Sequence, residues 1–127
     1  MAVFLHAVEA DGETNDINHA DWVDVDLFSW SPPSLSQPCR LTIVRRLNKR
    51  KPCLQGLMFA NVYYKKRIQR ITLEIPVAPN SDEYRRHTLI GVQVLSYQII
   101  PSAERNARPR EKLVLAIEQH GHEKISY

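Results

Sequence analysis

The fold is decided in the stretch WVDVDLFSW, residues 22–30. Apolar side chains occupy alternate positions at Val23, Val25 and Leu27, with an aspartate between each pair. This two-residue period predicts a β-strand with one buried face and its acids outward. The apolar phase then moves by one residue, to Phe28 and Trp30. Because such a shift turns the opposite face of a strand inward, we expect a bulge or bend near Leu27.

Strand patterns continue on both sides of this stretch. They cover residues 3–8, which are apolar on both faces, and residues 41–44, 71–75, 88–100 and 113–117. In 71–75 the apolar side chains alternate with Thr72 and Glu74, which are assigned to the polar face. His120-Gly121-His122 predicts a tight connection to a last strand that ends at Tyr127.

The run 88–100 is unusually long for a strand. Ile90, Val92 and Val94 share one face, and from Leu95 onward the apolar residues take the other phase. We therefore expect this strand to bend enough to serve two sheets.

One helix is expected, and it begins at Pro52, which the first turn of a helix tolerates. The apolar spacing that predicts it is Leu54, Leu57, Met58 and Val62. Many short strands, evenly spread turns and one helix predict a mainly β fold. We expect a β-barrel of two packed antiparallel sheets with one flanking α-helix, as a single domain over residues 1–127. The predicted core contains Trp30, Leu41, Leu54, Val92, Val94, Leu115 and Ile117.

Composition and cysteine usage narrow the class of protein. A chain of 127 residues that is 43% hydrophobic and 24% charged is typical of one folded domain and not of a disordered chain. No apolar run approaches the roughly 18 residues of a membrane span. The first residues lack a basic segment, so no signal peptide is expected. Cys39 and Cys53 are therefore interpreted as reduced, buried thiols of a cytoplasmic protein, with a disulfide between them as the less favoured alternative.

The charges are segregated along the chain. Residues 1–39 contain seven acids and no Lys or Arg, whereas residues 40–70 contain ten bases and no acid. Such asymmetry is found in nucleic-acid-binding proteins, and it also arises where an acidic face of one copy meets a basic face of the next. A third interpretation is that folding brings the two segments together and cancels the field.

No catalytic, metal or cofactor site is predicted. Asp24 and Asp26 are spaced like paired carboxylates, but the alternation assigns them to a solvated face. His19 with Asp16 and Asp21 is interpreted as a loop hydrogen-bonding group. His120 and His122 form an H-x-H that would need further metal ligands from elsewhere in the chain.

Nucleic-acid binding is the alternative function. Tyr63 and Tyr64 are followed by Lys65 and Lys66, and residues 45–51 are strongly basic. Aromatic side chains beside cations can stack on unpaired bases while the cations bind phosphates. The commoner role of such tyrosines is to cover the end of a core.

Several motifs, in order along the chain, resemble the haemolysin-coregulated protein (Hcp) family of type VI secretion. Residues 11–25, DGETNDINHADWVDV, are similar to its opening D-G-E-S/T, histidine-containing loop and W-I-x-V, and F-S-W follows at 28–30. Residues 89–97, LIGVQVLSY, resemble its L-x-x-V-x-V-S-S-Y strand, and residues 111–115 its E-x-I/V-x-L strand. Lys51 departs from the serine that caps the helix in that family.

The resemblance implies a non-enzymatic structural subunit with no cofactor. It implies a β-barrel with a helix beside it, closure of six copies into a ring, and stacking of rings into a tube. The implied partners are sheath, spike and effector proteins, with effectors carried in the lumen and no nucleic acid. The implied route is assembly in the cytoplasm followed by secretion without a signal peptide.

The charge segregation suggests where copies would meet. Opposite faces of stacked rings must be complementary, and complementary charge would set their register. We expect the first-loop acids Asp11, Glu13 and Asp16 to face the bases Arg46, Lys49 and Arg50 of a neighbouring subunit or ring.

Overall fold

The computed structural model describes residues 3–7, 18–20, 22–36, 38–47, 54–57, 67–103 and 108–127. Its strands are β1 (Val3–His6), β2 (Val23–Val25), β3 (Leu27–Ser31), β4 (Cys39–Arg46), β5 (Ile68–Pro76), β6 (Glu83–Ile100) and β7 (Arg110–Ser126). Residues 55–57 are helical.

All seven strands form one antiparallel sheet in the order β2-β1-β5-β6-β7-β4-β3. The mainly β, barrel-like class with a short helix is confirmed. The two layers that we expected are parts of a single, strongly curled sheet.

Asp26 explains why the sheet must curl. It is the single residue between β2 and β3, which lie at opposite edges of the sheet. Because one residue spans less than 4 Å, the two edges must lie side by side. The Asp26 N–H donates to the carbonyl of Val44 at 3.1 Å, and its carboxylate accepts the backbone N–H of Arg46 at 2.6 Å. The predicted bend is confirmed here, but Leu27 beyond it is 56% exposed and not buried.

The core lies inside the curl. Fully buried residues come from β1, β2, β4, β5, β6, β7 and the helical turn, for example Leu5, Val23, Leu41, Leu73, Leu89, Leu115 and Leu54. Of the predicted core, Leu41, Leu54, Val92, Leu115 and Ile117 are buried, and Trp30 and Val94 are half-buried and pack against the same cluster.

The alternation in β6 changes twice, and only the second change was predicted correctly. At Gly91 the backbone has φ +64°, and the buried side chain before it is Leu89, so the assignment of Ile90 to the inward face was wrong. A register shift between Val94 and Ser96 then moves the inward phase to Tyr97. A register shift of this kind bends a strand, which suits the curl of the sheet.

The expected tight connection at residues 120–122 was also wrong. These residues lie within β7, where Gly121 pairs with Thr88. Glycine is unfavourable inside a strand, but the surrounding ladder to β6 overrides this local signal.

The helical turn confirms part of the helix prediction. Leu54 and Leu57 are fully buried, and the Leu57 N–H donates to the Leu54 carbonyl at 3.1 Å. The buried Glu111 carboxylate accepts the Leu54 N–H at 2.6 Å. A carboxylate from β7 thus binds an amide of this turn, and Lys51 lies outside the described residues. Within the described ranges, no helix has the length and hydropathy that a membrane span requires.

Candidate assembly surface

The predicted charged interface is placed only in part. Asp11, Glu13, Asp16, Lys49 and Arg50 lie outside the described residues. Arg46 is exposed at the end of β4, directly opposite Arg110 of β7.

Next to Arg46 the surface is apolar and cationic. An open groove of about 480 Å³ is lined by Leu27, Val44, Ile100, Arg110 and Lys112, among others. Sheet register explains this grouping, because Leu27 pairs with Val44, Val44 with Lys112, and Ile100 with Arg110. Leu27 and Ile100 are 56% and 37% exposed. We refer to these five residues as the apolar–cationic groove, a surface composition that suits contact with another chain.

The described bases of residues 40–70 do not share one environment. Arg45 is buried at 3% exposure, Arg40 is half-buried, and the Arg67 guanidinium lies 3.3 Å from the Glu118 carboxylate. A buried guanidinium cannot reach a phosphate backbone, which weakens the nucleic-acid interpretation. Tyr63 and Tyr64 lie outside the described residues.

Glu74 organises a buried polar network that sequence reasoning missed. Its side chain is fully buried, which corrects its assignment to the polar face of β5. One carboxylate oxygen contacts His19 Nε2 at 2.8 Å and accepts the Tyr127 hydroxyl at 2.6 Å, and the other accepts Arg86 Nε at 2.8 Å. Loop, strands and C-terminal segment are therefore tied to one carboxylate.

These bonds decide the charge state of the network. Burial by itself raises the pKa of Glu74, but hydrogen bonds with Tyr127, Arg86 and His19 outweigh it and hold that pKa below its ordinary value. Burial, and then the bond to Glu74, raise the pKa of the Tyr127 hydroxyl. Glu74 is thus an anion at neutral pH, with Arg86 as its cationic partner.

Aromatic rings enclose His19, which is itself fully buried. Phe4 stacks on it at 4.0 Å between centroids and 11° between planes. Trp22, Tyr84 and Tyr127 meet it edge-on at 4.9, 5.0 and 5.2 Å. The interpretation of His19 as a hydrogen-bonding group is supported by this arrangement.

A second cluster lies on the hairpin of β6 and β7. His87 Nδ1 is 2.8 Å from His120 Nε2, and His122 is directly opposite His87 in the ladder. Trp30 of β3 stacks on His120, with centroids 4.7 Å apart and planes at 13°. We refer to His87, His120 and His122 as the histidine cluster.

In the part of the chain that the structure describes, no group of three or more His, Cys, Asp or Glu side chains is arranged to hold a metal ion. Asp16 and Asp21, which were considered together with His19, lie outside the described residues. Asp24 and Asp26 are exposed. Cys39 is a free, half-buried thiol whose pKa is raised by burial, and Cys53 is not described.

No protein-family model and no curated protein matches this sequence. Solved structures do match it. The crystal structure of Hcp1 from Salmonella typhimurium has a TM-score of 0.74 at 18% identity, over 98% of this chain and 93% of that one. A structure of a type six secretion system protein has 0.72 at 19% identity, over 95% and 82%. The secreted protein Hcp3 from Pseudomonas aeruginosa has 0.62 at 10% identity, over 99% and 96%.

The fold is that of the Hcp proteins.

Within this Hcp fold, the first-loop motif has a structural role. His19 of that motif contacts Glu74, 55 positions away, and Trp22 packs edge-on against His19. In the sequence, only the loop residues His19 and Trp22 belong to a recognisable motif. Glu74, Arg86 and Tyr127 are ordinary polar residues of strands and chain end until the ladder brings them together. The same is true of His87, because the H-x-H motif points to His120 and His122 but not to this third histidine.

Proposed function

We propose that this chain is a non-enzymatic structural subunit of a type VI-like contractile injection apparatus. Six copies close into a ring, and rings stack into a tube. The subunit assembles in the cytoplasm, is exported without a signal peptide, and carries effectors in the ring lumen. Sheath and spike proteins are its further partners.

The observation that carries this proposal is the match to Hcp structures over nearly the whole length of both chains. A fold match at this identity is an analogy for function, so the surface must also suit assembly. It does, because Leu27, Leu95, Ile99 and Ile100 are large apolar residues that remain 37–56% exposed. Apolar side chains exposed at strand positions favour contact with another subunit.

Negative-stain microscopy of the purified protein tests the assembly. We expect six-fold rings, with short stacks at high protein concentration. A field of small monomeric particles would contradict the proposal. So would strong DNA binding that falls steeply with salt, because it would identify the basic segment as a nucleic-acid site.

The charged contact between copies is part of the proposal. Asp11, Glu13 and Asp16 of one copy meet a basic surface of the next, formed by Lys49 and Arg50 together with Arg46, beside which Arg110 extends the cationic area. Exposed ion pairs contribute only about 0–1 kcal/mol each, but ring symmetry repeats every contact.

Charge reversal tests this contact. Lys49→Glu with Arg50→Glu should weaken ring closure or stacking at low salt while the subunit stays folded. Arg70→Glu with Lys124→Glu changes the net charge equally at exposed positions on β5 and β7, and it should leave assembly intact. Equal assembly of both double variants, from low salt to about 1 M where screening is nearly complete, would contradict the charged contact.

A further inference from the structure

The histidine cluster joins the edge strand β3 to the hairpin of β6 and β7. His87 is 9% exposed, and its ring lies 5.3 Å from that of Trp30. Trp30 stacks on His120, which in turn bonds His87. In the described residues β3 pairs with β4 alone, so the Trp30–histidine contacts add a second attachment for this strand.

The bond between the two imidazoles depends on a single proton. One ring must donate an N–H and the other must accept it with a lone pair. If both rings are protonated, two donors and two positive charges face each other at the 2.8 Å separation of His87 Nδ1 and His120 Nε2. That arrangement cannot persist, and one ring must leave.

The charged surroundings oppose a second proton. Arg85 Nη1 lies 3.4 Å from His122 Nδ1, and the His122 ring is 5.8 and 6.3 Å from His87 and His120. The β3 side contributes the uncharged Trp30. Within the described residues, no ion pair joins a carboxylate to these three rings. Beside His120, a groove is also lined by the Cys39 thiol and by Arg67 and Glu118, which pair with each other.

We propose that the histidine cluster is an acid-sensitive latch that holds Trp30 and strand β3 against the β6–β7 hairpin. With one shared proton the latch is closed. A protonated ring can still donate to a neutral one, so the bond between His87 and His120 breaks only when both rings are protonated. His120 can keep its place as a cation on the Trp30 face, so the ring that must reach water is the buried His87. It can do so only if Trp30 and β3 move away from it.

The direction of the pH effect follows from the same contacts. Burial, and then His120, His122 and Arg85, lower the pKa of His87 to about 4. Burial and His122 also lower the pKa of His120. A group whose pKa is lowered by the closed state takes up its proton on opening. The closed state is therefore favoured above the ordinary histidine value of 6.5 and is lost progressively as the pH falls from there toward about 4. The latch uses contacts within one chain and does not depend on ring assembly.

The test follows Trp30 fluorescence in a Trp22→Phe background, where Trp30 is the sole tryptophan. Between about pH 7.5 and about pH 4, we expect a reversible shift of its emission to longer wavelength as Trp30 and β3 move away from the hairpin. His120→Gln places an amide that cannot be protonated near the position of Nε2, and it should reduce the shift to less than about half. His6→Gln removes an exposed histidine of β1 and should leave the shift unchanged.

Two results would overturn the latch. One is an emission spectrum that stays constant over this range in the Trp22→Phe protein. The other is a shift of equal size with and without His120. The first result decides the matter even if His120→Gln does not fold.

Discussion

At the scale of single residues, Gly91 is required for two independent reasons. Its φ of +64° is a conformation that residues with a Cβ rarely adopt. A Cβ there would also lie 2.5 Å from Glu118 Oε2 and 2.9 Å from Glu118 Cβ. Gly91→Ala should lower the free energy of unfolding by about 1–3 kcal/mol.

Gly121 is the matched control for this prediction. It lies in β7 without a positive φ, and an added Cβ would meet nothing within 4 Å. Gly121→Ala should be neutral or stabilising by up to about 1 kcal/mol. Urea unfolding of both variants measures the difference, and equal effects would contradict this account of Gly91.

The Glu74 carboxylate should make the stability of the fold depend on pH in the acid range. The pKa of Glu74 in the folded protein lies below the ordinary 4.5. Its contribution to the free energy of unfolding is therefore complete above pH 4.5 and is lost as the pH falls through the folded pKa. Glu74→Gln should cost about 2–4 kcal/mol at neutral pH, because the amide NH₂ would face one of the three donors.

The acid dependence below about pH 4.5 should also become weaker in Glu74→Gln. Glu83→Gln breaks only an exposed pair with Lys124 and should change stability by less than about 1 kcal/mol. Unfolding curves at neutral and acid pH separate the two variants. If Glu74→Gln left the free energy of unfolding unchanged, the network would not stabilise the fold.

At the scale of elements, the long strands β6 and β7 supply core residues, and β6 changes along its length which side chains point inward. Leu115 of β7 is fully buried, whereas Leu95, at the register shift in β6, is 44% exposed. In the unassembled subunit, Leu115→Ala should therefore cost about 2–5 kcal/mol, and Leu95→Ala less than about 0.5 kcal/mol. Thermal or urea unfolding checks this, and a small loss at Leu115 would show that the inward phase of β7 is assigned wrongly.

The period of two in β2 was readable from the sequence, and so was the bend near Leu27. The change of phase at Gly91 was not, because a glycine in an apolar run gives no sign of a positive φ. Strand continuity through His120 and His122 was missed for a similar reason. A glycine between two polar residues is typical of a turn, and only pairing with β6 shows otherwise.

At the scale of the whole molecule, motif order in the sequence predicted the Hcp-like fold, and the match to solved structures confirms it. Contacts between distant positions could not be predicted, since Glu74 and His87 acquire their partners only through sheet register. The residues proposed to join subunits stay a prediction. Most of them lie outside the described ranges, and contacts between copies are not encoded in the period of any one strand.

The central claim is that copies of this chain close into a ring. Sedimentation velocity of the purified protein at micromolar concentrations tests it most directly. We predict a species of about six times the monomer mass, in keeping with closed cyclic symmetry, which dissociates or loses its stacks as salt is raised. A single monomeric species across the whole concentration range would contradict the claim.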